Sequence, residues 1–141
     1  MYMASGKIEK VNTLQVINYI PTIGWRYGST APTLGANLAY GMLLNKNLLV
    51  LGFRINITDL GSPASNEYLT ISMPSNVTLK GDPFPSAGVI YNSNGPMNLC
   101  MRGLVADNQL QLVDGIGGNP SAPKLSTGWF GGFGFVPISM N

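Results

Sequence analysis

From residue 49 to residue 58 the apolar side chains fall on every second position. Leu49, Leu51, Phe53, Ile55 and Ile57 share one side, and Val50, Gly52, Arg54, Asn56 and Thr58 share the other. Successive side chains of a strand point to opposite faces, so this spacing predicts a half-buried antiparallel strand with the first set toward a core. Just upstream, Leu38, Tyr40, Met42 and Leu44 alternate in the same fashion, and Asn45-Lys46-Asn47 supplies turn chemistry that joins the two runs into a hairpin. Leu69-Thr70-Ile71-Ser72-Met73 reads as a third strand, ended by Pro74, whose missing N–H cannot serve a ladder.

Weaker strand signals follow at 88–91, 99–105, 109–113 and 132–138, with Asp107-Asn108 as a tight turn between two of them. The stretches between are rich in turn residues, where most of the 18 glycines and 10 prolines lie. Short strands at fairly regular spacing predict an all-β, antiparallel β-sandwich or barrel, of which the sandwich is the reading taken. The one helical candidate, 34–44, contains Gly35 and Gly41, each costing a helix about 1 kcal/mol relative to alanine. Segment 7–20 fits a short helix or a strand equally well. Residues 1–24 are read as a connector or oligomerisation segment and 25–141 as a single sandwich domain.

Composition limits what such a sandwich does. Only 10% of the 141 residues are charged, against about 25% in an ordinary soluble domain, while 45% are apolar. Subunit contacts are depleted in charge at their cores, so a homo-oligomer is expected. The eight Lys and Arg are scattered singly against six acids, which is not the clustered basic stripe of a nucleic-acid binder. No apolar run approaches the ~20 residues a bilayer requires, so no membrane insertion is expected. The start, Met1-Tyr2-Met3-Ala4-Ser5-Gly6-Lys7, lacks the pattern of a signal peptide. The sequons at Asn56 and Asn76 carry little weight without an export signal. Cys100, the single cysteine, sits in an apolar run and reads as a small buried hydrophobe.

The chain contains no histidine, which removes the usual triads, imidazole metal sites and the commonest general base together. The carboxylates Asp59 and Glu67, or Asp107 and Asp114, flank strands and leave a glycosidase-type pair open. Gly115-Ile116-Gly117-Gly118 lacks the lysine and following helix of a phosphate-cradling loop. Asp59, Asp82 and Asp114 do not have the spacing of a calcium loop. No catalytic residue, metal or other cofactor is therefore assigned. Gly131-Gly132-Phe133-Gly134-Phe135 reads as a strand with Phe133 and Phe135 buried on one face. Aromatic and amide groups expected on late loops remain as the binding signal: Tyr91, Asn92, Asn94, Asp114, Asn119 and Trp129 combine flat apolar faces with hydrogen-bonding groups, the mixture that suits a sugar ring.

Trp25, Tyr40-Gly41, the run from Asn45 through Thr58, Gly61 and Tyr68 through Pro74 together resemble an arrangement found in the head domains of bacteriophage tail fibres and receptor-binding proteins. There a tryptophan precedes an aromatic-turn-alternating hairpin, followed by a strand ending in an apolar-Pro pair. The resemblance covers about the middle third of the chain, with 129–138 compatible as a closing strand. It implies a homotrimer of jelly-roll-like heads that binds a host cell-surface saccharide or protein without turnover. It also implies a place on the virion tail tip beside other tail proteins, after synthesis in the host cytoplasm. A structural virion part, such as a capsid decoration or baseplate protein, is the alternative reading, and a polysaccharide depolymerase a third.

Overall fold

In the computed structural model of the chain, which describes residues 15–80, 85–86, 88–93, 99–114 and 122–140, the alternating run 49–58 lies within a sheet. It forms β4 (Leu48–Asp59), hydrogen-bonded to β3 (Thr33–Asn45) on one side and β11 (Gly128–Met140) on the other. β1 (Gln15–Tyr19) extends the sheet beyond β3. The other edge of β11 is shared by β8 (Gly88–Asn92) and β6 (Val77–Leu79). A second sheet runs in the order β2 (Ile23–Trp25), β5 (Leu69–Ser72), β10 (Gln109–Asp114), β9 (Leu99–Leu104) and β7 (Pro85–Ser86). Every strand pairing is antiparallel. The fold is therefore all-β and sandwich-like. The segment read as a connector supplies β1 to the larger sheet and the first residues of β2 to the smaller one.

The hairpin forms as its sequence predicts. Asn47 N–H donates to the Asn45 side-chain oxygen at 2.8 Å across the turn, and Leu49, Leu51, Phe53, Ile55 and Ile57 are all buried. They meet Ile23, Trp25, Leu69, Ile71, Met101, Leu110 and Leu112 of the smaller sheet in one apolar cluster. The Trp25 indole N–H donates to the Leu60 carbonyl at 3.1 Å, so a large ring enters the core with its polar atom satisfied. Tyr19 ties the two sheets together: its hydroxyl donates to the Ser72 carbonyl at 3.1 Å, and burial pushes its ionisation well above the ordinary tyrosine value.

Size decides which residues flank β4 on the core side. Across the ladders, Phe53 stands between Ala39 and Gly132, and Leu51 between Gly41 and Gly134. A Cβ on Gly41 would lie 2.8 Å from Leu49 Cδ1, so the large side chains of β4 fill the space that its neighbours leave open. The expectation that Phe133 and Phe135 are buried is corrected by the same packing. Gly132 and Gly134 occupy the inward positions of β11, and the two phenylalanines stand about half exposed on the opposite side. On β3 the small Ala39 and Gly41 face inward with Leu43, and the bulky alternating set Leu38, Tyr40, Met42 and Leu44 faces out.

Two loops are held by side chains acting on backbone. Asn108 takes a left-handed backbone (φ 51°) after a single 3-10 turn, in keeping with the turn expected at Asp107-Asn108. Its amide accepts from Leu79 N–H at 2.8 Å and donates to the Val77 carbonyl at 2.9 Å, acting as a substitute strand for β6. Glu67 is buried beneath the turn at Tyr27 to Ser29, where its two carboxylate oxygens accept from Tyr27 N–H at 2.7 Å and Ser29 N–H at 3.2 Å. Burial raises the carboxyl pKa, but the Ser29 hydroxyl and the two backbone donors outweigh it and hold the group below its ordinary value.

Candidate functional site on the outer face of the larger sheet

The outward residues of β1, β3, β4 and β11 fall into rows defined by strand register. One row runs Val16, Met42, Val50, Phe135, and the next Asn18, Tyr40, Gly52, Phe133. A third contains Leu38, Arg54 and Gly131, and a fourth Asn56 and Trp129. Polarity rises from the first row to the last.

Gly52 is required by the close approach of its neighbour. A Cβ there would lie 2.6 Å from Tyr40 Cζ, so the tyrosine ring lies across bare backbone. Gly131 leaves a second gap between Trp129 and Phe133. The result is a groove of about 580 Å³ whose lining includes Leu38, Tyr40, Arg54, Ser93, Trp129 and Phe133. The Arg54 guanidinium carbon lies 4.3 Å from the Trp129 ring centroid, within cation–π range. Trp129 and Ser93 exchange bonds: Trp129 N–H donates to Ser93 Oγ and Ser93 N–H donates to the Trp129 carbonyl, each at 3.0 Å. This fixes the backbone on both sides of the indole.

Of the residues expected to bind, Trp129 lies in this groove, half-buried and in a strand rather than on a loop. Tyr91 and Asn92 are also strand residues, placed on β8 opposite Gly131 and Phe130. Pairing of β8 with β11, two segments without any local signal for each other, converts the expected loop into a ladder. Asp114 ends β10 in the other sheet, exposed and opposite Leu99, apart from this ladder. Asn94 and Asn119 lie outside the described residues, as do Asp82 and 115–121. Ser93 belongs to the segment 91–94 read as a binding loop, whereas Tyr40, Arg54 and Phe133 carry no such signal in the sequence. The signal available for Tyr40 was that both sides of 38–44 are free of charge, which leaves no solvent face to assign.

Asp59 and Glu67, one of the two carboxylate pairs, have structural partners. Asp59 Oδ1 accepts from Gly61 N–H at 2.6 Å, and Glu67 holds the Tyr27 turn. Cys100 is buried as expected, and burial, with the negative charge of Asp114 added, pushes its thiol pKa upward, away from the nucleophilic thiolate. Among the described residues no group of three or more Cys, Asp or Glu is placed to hold a metal ion. No helix among them is long and apolar enough to cross a membrane. No protein-family model, curated protein or solved structure matches the chain.

Proposed function

We propose that the chain is the head domain of a homotrimeric viral attachment protein, a jelly-roll-like sandwich on the virion tail tip that binds a host cell-surface saccharide or protein without chemical turnover. The observation that carries this reading is the groove around Trp129. A sugar presents a flat C–H face and a rim of hydroxyls; the indole offers an apolar plane, while Arg54 and Ser93 offer polar groups in the same cavity. Binding rather than hydrolysis is supported by the engagement of Asp59 and Glu67 with backbone N–H groups, since a glycosidase needs two carboxyl groups facing its substrate about 5 to 9.5 Å apart. Repetition of a weak site in a trimer would raise avidity without new contacts.

The second reading, a structural virion part, is favoured by one observation: the first row of the outer face offers no polar side chain to a soluble ligand. A glycan array and a host-cell adsorption assay separate the two. The attachment reading expects saturable binding that quenches tryptophan emission and is lost in Trp129→Ala, with far-UV circular dichroism unchanged. Absence of binding to any glycan or host surface, or full binding by Trp129→Ala, overturns it.

A further inference from the structure

Seven of the ten exposed large apolar side chains among the described residues stand on one side of one sheet. Val16, Met42 and Phe135, respectively 62%, 36% and 49% exposed, lie in a single row across four strands, and Tyr40 and Phe133 fill the row beside it. We propose that this half of the face, centred on Met42 and Phe135, is covered by a second copy of the chain. The inference rests on the homo-oligomeric part of the reading above, whatever the number of copies, and identifies a contact surface.

Area, charge and chemistry favour a second copy. A buried aromatic side chain covers roughly 150–250 Å², so half-exposed Tyr40, Phe133 and Phe135 leave about 300 Å² of ring in water. With the aliphatic neighbours the patch reaches about 500 Å², near the upper end of what monomers expose. Two such faces brought together remove about 1,000 Å² of apolar surface, the size at which specific interfaces begin. The two rows carry no charge, and Arg54 stands one row further on beside Trp129. Copies therefore meet over the first rows without burying an unpaired ion, and the groove at Trp129 is left at the rim. A hydrophilic partner would find no polar side chain in the first row with which to fix its orientation.

The test uses the full chain and two variants, Met42→Lys and Phe135→Lys. Both side chains are exposed in the single chain, so neither change enters its core. The expected result is that the wild type sediments as an oligomer, whereas each variant sediments as one 15.0 kDa chain with unchanged circular dichroism. Should a lysine variant fail to fold, hydroxyl-radical oxidation of the wild type gives an independent reading: Met42 is protected at high protein concentration and oxidised on dilution. A wild-type dimer abolished by the lysines supports this surface and removes the trimer. An oligomer that tolerates both lysines and leaves Met42 reactive overturns the surface but keeps the assembly. A wild-type monomer overturns both, including one that instead binds phosphatidylcholine vesicles.

Discussion

Replacing Glu67 by glutamine keeps the shape of the side chain and removes its charge. The wild-type carboxylate is buried and accepts from Tyr27 N–H at 2.7 Å and from Ser29 N–H at 3.2 Å. A glutamine offers one oxygen, and its amide N–H₂ meets the second backbone donor head-on. A hydrogen bond to a charged group contributes about 1.5–3 kcal/mol, and a buried N–H left without a partner costs a similar amount. The net loss is therefore about 2 to 3 kcal/mol. At roughly 3 °C per kcal/mol for a chain of this length, Tm should fall by about 6–9 °C at pH 7, with both proteins scanned at equal concentration because any self-association also raises Tm. The pH dependence follows from the lowered pKa. A carboxyl group held below its ordinary value of 4.5 gives its full stabilisation above that pH and loses it as pH falls through the folded value. The gap between wild type and variant should accordingly narrow in acid. A Glu67→Gln protein with wild-type Tm at pH 7, or a gap that stays constant down to the acid transition, refutes the reasoning.

The register of β4 is tested by neighbouring substitutions: Ile55→Asp places a carboxylate in the core and should cost more than about 4 kcal/mol in denaturant melts, whereas Asn56→Asp on the outer face should cost less than about 1 kcal/mol; equal tolerance would mean the two faces are exchanged. Asn108→Ala removes both bonds to β6 while keeping a strained left-handed residue, for a loss of about 2 to 3 kcal/mol. Asn108→Gly should recover part of that loss, since the backbone strain is relieved but the bonds are not restored, and a Gly variant less stable than Ala would contradict it.

The parts of the fold that were readable from the sequence are those in which one strand carries its own contrast. β4 alternates large apolar residues with Arg54, Asn56 and Thr58, so its buried face follows from the chain alone, and Asn45-Lys46-Asn47 marks the turn before it. β3 and β11 lack that contrast. Their choices are between large and small apolar residues, and size favours burial of the larger. The structure takes the other choice because Phe53 and Leu51 of β4 already occupy the core beside Ala39, Gly41, Gly132 and Gly134. That information resides in a partner strand up to about 80 positions away, as does the β8 ladder that brings Tyr91 and Asn92 beside β11. The groove was legible at Trp129 and illegible at Tyr40 and Arg54, because it is assembled by register across three strands.

The interior place of β11 has a consequence for how the chain is made. Synthesis runs from the N-terminal end, so β3 and β4 leave the ribosome and can pair long before their neighbour exists. Until β11 emerges, one edge of β4 is an open row of N–H and C=O groups beside an uncovered apolar surface, the kind of edge that pairs with other nascent chains. β8 and β6 wait for the same strand, since both are anchored to it. Expression of this protein should therefore depend on whether translation passes β11: ribosome stalling or premature termination within 128–140 would release a chain with a complete hairpin and an unfinished sheet, prone to aggregate whatever the stability of the finished fold.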